Sequence, residues 1–210
     1  MRLGILGGTF DPIHIGHLIL AEEARYLLGL DQVLLAPAAD PPHKRGQGKS
    51  PAEHRVRMVE LAIAGNPHLA LSRVDVDRPG PHYTLDMVRL LRGQYGPNAS
   101  LYFLMGLDSL ADLPTWHRPL ELMQTCQLVA LSRPGADFDW DALEAALPGV
   151  RSQVIVLPMP LLQISGSDLR ARVRQGRPLR YLVLPQVERY IHEQQLYRTG
   201  WTGDGESGAA

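Results

Sequence analysis

At 210 residues, 45% hydrophobic and 20% charged, the chain is long enough to bury one sizeable core and has an ordinary globular composition, so a single domain is expected. A net charge of −1 excludes the basic field by which nucleic-acid binders attract polyanions, so any anion has to be held by local geometry. The lone Cys126 excludes an intramolecular disulfide, and no run approaches the roughly eighteen apolar residues of a membrane span; with no charged-then-apolar leader before the first strand, a cytoplasmic protein with neither nucleic-acid nor membrane partners is expected.

In chain order, Leu3 to Leu6 reads as a first strand, followed by Gly7-Gly8-Thr9-Phe10-Asp11-Pro12-Ile13-His14-Ile15-Gly16-His17. Adjacent glycines let a backbone approach a ligand, and the helix start beyond them offers unpaired N–H groups to phosphate. A helix beginning near Ile13 puts His14 and His17 on one face, where they can hold one polyphosphate between them. The segment lacks the lysine of a P-loop and the third glycine of a dinucleotide turn. His-x-x-His also fits part of a zinc set, but no third ligand lies nearby. Leu18, Ala21, Ala24 and Leu28 give the first helix its apolar stripe, and Gly29 stops it.

The second strand, Gln32 to Ala36, leads into Pro37 to Arg45, a proline-stiffened loop in which His43 and Lys44 are candidate anion contacts. Ser50-Pro51-Ala52-Glu53 reads as a capping box with proline at the first helical position, opening a helix with Val56, Val59 and Ile63 on one face. Leu69 to Val76 is the third expected strand, and the next helix runs from about Thr84 to Tyr95 with Gly96 beyond it. The fourth strand, Leu101 to Met105, is followed by Gly106-Leu107-Asp108-Ser109. Asp108 there suits ribose hydroxyls, or equally the cap of the next helix. Trp116 follows a proline in a polar setting, so its ring either packs structurally or offers a face to an aromatic ligand. Cys126 heads the apolar stretch to Leu131 and reads as a strand residue rather than a nucleophile. Val154 to Leu157 is the last strand.

Strands cease from Ile164 onward. Ser167 to Gln175 and Pro185 to Gln194 read as helices, the first capped by Ser165 or Ser167 and carrying Arg170 on its opening turn, where it can fork onto phosphate. Trp201 to Ala210 is small, polar and glycine-rich, and a flexible tail over 199–210 is expected. Strands alternating with helices predict an α/β fold: a Rossmann-like parallel sheet with helices on both faces and a small helical C-terminal subregion from about residue 164, all in one domain over 1–198.

Taken together, Gly7 to Pro12 with His14 and His17, Pro41-Pro42-His43-Lys44, Tyr83-Thr84, Gly106 to Ser109, Pro114-Thr115-Trp116, Arg133-Pro134-Gly135 and Ile164 to Arg170 resemble the H-x-G-H nucleotidyltransferases, in their bacterial nicotinate mononucleotide adenylyltransferase branch. One departure is Gly166, where the family often has a second serine. The resemblance implies an enzyme that joins AMP from ATP to nicotinate mononucleotide, giving deamido-NAD and pyrophosphate. It implies that His14, His17 and Arg170 act catalytically on the triphosphate with Gly7, Gly8, Thr9, Phe10 and Ser165. Gly106 and Asp108 are implied to address the ribose, and Arg133 to lie beside the adenine. On the acceptor side, it implies that Trp116 stacks on the pyridine, Tyr83 and Thr84 contact its carboxylate, and His43 and Lys44 join them. It also implies Mg2+ held mainly by the nucleotide phosphates and water, with no protein metal site. The competing expectations are another adenylyltransferase of this superfamily, using nicotinamide mononucleotide or phosphopantetheine, and a non-catalytic nucleotide-binding protein. The oligomeric state is not legible in the sequence.

Overall fold

The computed structural model describes residues 1–39, 49–132, 138–160 and 162–198. Strands β1 (Arg2–Gly8), β2 (Gln32–Pro37), β3 (Leu69–Leu71), β4 (Ser100–Gly106), β5 (Gln127–Ser132) and β6 (Val154–Pro158) form one six-stranded sheet in the order β3-β2-β1-β4-β5-β6. Every pairing is parallel. The strand order reverses between β1 and β4, and in such a sheet that reversal opens a crevice at the carboxyl ends of the strands.

The middle of each central strand is apolar on both faces, as a sheet covered on both sides requires. Its two-residue period sends Leu6, Val33, Leu35, Leu104 and Val129 to one core and Leu3, Ile5, Leu34, Phe103 and Leu128 to the other. The first core is closed by α1 (Ile15–Leu28), α2 (Ala52–Ile63), α8 (Gly166–Arg174) and α9 (Pro185–Glu193), through Ala21, Ala24, Met58, Val59, Leu169 and Val187. The second is closed by α3 (Thr84–Tyr95) and the short α4 (Leu107–Ala111), α5 (Pro119–Thr125), α6 (Trp140–Ala146) and α7 (Val150–Gln153). The C-terminal helices thus belong to the main core. The short helices escape the sequence reading because a turn or two is too little for a 3.6-residue period to show.

Several boundaries differ from expectation. The third strand ends at Leu71 instead of Val76, because Asp75 turns inward to accept from Arg78 (3.0 and 2.6 Å) and the Ala39 N–H (3.4 Å). Ser50 does not cap α2. Pro51 occupies the N-cap, while the Ser50 hydroxyl and N–H both donate to Asp11, at 2.6 and 3.2 Å; Glu53 pairs with Arg73 instead. Cys126 sits one residue before β5, buried at the C-cap of α5, and burial pushes its thiol up to about 12, leaving it inert. The expected tail and the loop residues 40–48 lie outside the described residues.

Two buried polar residues tie the loops together. Arg55, 1% exposed, donates to the carbonyls of Ser50 (3.0 Å), Thr9 (2.8 Å), Ala38 (2.7 Å) and Ala39 (3.2 Å), so it joins the loops after β1 and β2. Asp11 accepts the Ser50 pair and also the Tyr197 hydroxyl at 2.7 Å, which fastens the C-terminal end of the chain to the loop after β1. A hydrogen bond to a buried carboxylate contributes more than a neutral one, so Tyr197→Phe is expected to lower stability by about 1.5–3 kcal/mol, read as a reduced urea midpoint at unchanged slope.

Candidate functional site

The turn between β1 and α1 is shaped by close approaches. Phe10 is buried with φ 49°, a left-handed conformation uncommon outside glycine, and its ring covers Gly8, where an added Cβ would stand 3.1 Å from ring carbons. The helix starts two residues later than expected: His14 is the N-cap of α1. The two imidazoles nevertheless stack, with centroids 3.6 Å apart and 22° between planes, and the Phe10 ring meets His17 edge-on at 4.9 Å. Gly16 permits this, because a Cβ there would lie 3.0 Å from His14 Nδ1.

Burial holds the His14 pKa down to about 4, and burial followed by the neighbouring His14 holds that of His17 well below the ordinary imidazole value. Both rings are therefore neutral near pH 7. The His14 backbone N–H donates to His17 Nδ1 at 3.3 Å; this assigns the His17 proton to Nε2 and makes that nitrogen a donor.

His14, His17, Thr9, Phe10, Asp11, Lys49, Ser167 and Arg170 line one cavity of about 360 Å3. Arg170 reaches it from α8 and is anchored by donating to the Asp11 carbonyl at 2.6 Å. Gly166 is what lets α8 come this near, since a Cβ on it would stand 2.8 Å from that same carbonyl oxygen. Ser165 is committed to capping α8 through the Asp168 N–H (3.2 Å), so of the two serines it is Ser167 that faces the cavity. The lining is polar, cationic and at a helix N-terminus, which suits a polyphosphate.

A second cavity of about 140 Å3 opens on the other side of Thr9. Gly7, Gly8, Asp75, His82, Thr84, Phe103 and Trp116 line it. Trp116 stands edge-to-face with Phe103 at 6.0 Å and also lines the cavity, so its packing does not withdraw the ring from it. Tyr83 is not among the lining residues; its ring stacks on His117 at 4.0 Å and joins the loop of Thr84 to the loop of Trp116. Gly106 is the N-cap of α4, and Asp108 makes no cap bond; it is exposed beside Phe138 and Leu143 in a third hollow. His43, Lys44 and Arg133 lie outside the described residues.

Sequence reasoning passed over Lys49, Asp11, Arg55, Asp75 and His82. Asp11 lay inside the glycine motif and reads locally as a turn residue, while a buried arginine or aspartate has no periodic signature at all. Adjacency of Lys49 to Ser50 carried no signal until Ser50 was seen on Asp11.

The cytidylyltransferase-like family model matches residues 5–172. Curated relatives include the probable nicotinate-nucleotide adenylyltransferases of Thermomicrobium roseum, 52% identical over 198 residues that cover 94% of this chain and 92% of that one, and of Roseiflexus sp. strain RS-1, 47% identical, covering 93% and 98%. Among solved structures, the Plasmodium falciparum nicotinic acid mononucleotide adenylyltransferase complexed with NaAD superposes with a TM-score of 0.75 at 20% identity, covering 93% of this chain and 97% of that one, a likeness of fold. No described helix is long and apolar enough to cross a membrane. Two cavities meeting at the switch point of a parallel sheet, one lined by an H-x-G-H pair, accord with these matches, and the chain belongs to the cytidylyltransferase-like family, among its nicotinate-nucleotide adenylyltransferases.

Proposed function

We propose that this protein transfers AMP from ATP to nicotinate mononucleotide, forming deamido-NAD and pyrophosphate, with residues 1–198 acting as one nucleotidyltransferase domain in the cytoplasm. The observation that carries the reading is that Thr9 lines both cavities. A triphosphate held by the histidines and a mononucleotide beside Trp116 then place their reacting phosphates at one turn.

The acceptor's phosphate oxygen forms a bond to the α-phosphorus as the bond from that phosphorus to the bridging oxygen breaks and pyrophosphate leaves. The attacking oxygen is already ionised, so no general base or protein nucleophile is needed, and catalysis reduces to alignment and charge stabilisation. His17 Nε2–H, His14 and Arg170 supply donors where negative charge accumulates on the leaving group. Neutral imidazoles suit this, because they donate without a compensating proton transfer.

Mg2+ belongs, in this reading, on the phosphate oxygens of ATP. Among the described residues no three His, Cys, Asp or Glu side chains gather to hold a metal, and Asp11, the carboxylate lining the phosphate cavity, is already engaged by Ser50 and Tyr197. A bound Mg2+ would supply charge neutralisation on those phosphates. Gly106 and Asp108 are proposed for the ribose, Arg133 for the adenine edge, and His43 and Lys44 for the acceptor.

Removing one charge-stabilising donor costs about a hundredfold or more in turnover, so His17→Ala is expected to lose at least that much in pyrophosphate release from ATP and nicotinate mononucleotide. Unimpaired turnover removes the histidine from the mechanism. Trp116→Ala should raise the acceptor KM and leave the ATP KM little changed; the opposite split assigns the ring to the adenine or the core. The His14 pKa lies near 4 in the folded state, against about 6.5 for an unfolded histidine. The unfolded chain therefore binds more protons between those values, and stability present above pH 6.5 is lost as pH falls toward 4. Urea midpoints measured over that window should fall more steeply for the native protein than for His14→Gln.

A further inference from the structure

The cavity beside Trp116 contains a ring nitrogen that its own walls do not satisfy. Asp75, 5% exposed, accepts from Arg78 Nε and Nη2 on its Oδ1. The same guanidinium donates to the carbonyls of Pro81 (2.8 Å) and Tyr83 (3.2 Å), the residues on either side of His82. His82 is thereby clamped in place. Its side chain is 9% exposed, its Nδ1 is buried without a hydrogen-bond partner, and that nitrogen lies 3.8 Å from Asp75 Oδ1. Since Nδ1 is buried, it is the remainder of the ring that lines the cavity, beside Thr84 and Trp116.

A buried ring nitrogen left unpaired lowers stability, and its retention calls for a physical reason. The charges around it suggest one. Asp75 and Arg78 cancel each other, and the other cavity walls bring Thr9, Thr84, Met87, Phe103, Ser109 and Trp116, none of them charged. A proton added to His82 turns Nδ1 into a donor toward Asp75 Oδ1 and the other ring nitrogen into a donor elsewhere, and it leaves the cavity with one net positive charge. A ligand carboxylate cancels that charge, whereas a carboxamide cannot.

We propose that His82 is a specificity-determining residue that favours a pyridine ring bearing a carboxylate over one bearing an amide. The inference rests on the reading of this cavity as the acceptor site. Discrimination of this kind arises when a site built for one polar group leaves charge or donors unmatched against the other.

The test compares kcat/KM for nicotinate and nicotinamide mononucleotides with ATP, in the native protein and in His82→Gln. The expected result is that the acid-to-amide ratio falls at least about tenfold in the variant, the loss lying with the acid, while the ATP KM and the melting temperature stay near native values. An unchanged ratio in His82→Gln, or equal losses on both substrates, overturns the proposal. If the native protein turns over neither mononucleotide, the acceptor reading fails and this inference with it; if it turns over the acid and the variant keeps the native ratio, only this inference fails.

Discussion

The carboxylate of Asp11 is the junction on which the site depends. Three segments far apart in the chain converge on this residue: Ser50 at the entry to α2 and Tyr197 near the end of the chain donate to its side chain, and Arg170 of α8 donates to its carbonyl. A buried charge is tolerable only when hydrogen bonds replace the water it has lost. The same bonds that satisfy Asp11 therefore fix the turn after β1, bring Arg170 to the phosphate cavity and give the C-terminal helices a polar anchor beside their apolar contacts.

Arg55 does the complementary work for backbone acceptors. Loops at the carboxyl edge of a sheet leave carbonyls that no strand partner reaches, and a guanidinium has enough donors to serve several at once. By holding Thr9 together with Ala38 and Ala39 it keeps the wall between the two cavities rigid. That wall is narrow at Thr9, which lines both cavities, so in the proposed reading this one residue stands between the triphosphate and the mononucleotide.

The histidine pair is an arrangement of tight clearances. Stacked rings, the Phe10 edge and the bare Cα of Gly16 exclude water from His17, and exclusion of water keeps both imidazoles neutral. The glycine between the histidines is thus a steric requirement of their stacking. Gly166 serves in the same way for α8, where an added Cβ would press on the Asp11 carbonyl.

Much of this was legible in the residues alone. The alternation of strands and helices, the stop at Gly29, the span Thr84 to Tyr95 and the glycine-histidine turn all follow from patterns that repeat within a few residues, because periodicity and turn chemistry act locally. What the sequence by itself determined was the layered parallel sheet and the glycine-histidine turn at the end of its first strand. Tertiary structure decided which polar side chain answers which: that Ser50 leaves its helix to serve Asp11, that Asp75 ends β3 early, that Tyr83 stacks on His117, and that His82 is clamped with a nitrogen unpaired. Ser50 with Asp11 and Tyr83 with His117 are separated by tens of positions, and the contacts of Asp75, though local, acquire the burial that makes them count only once the sheet has assembled.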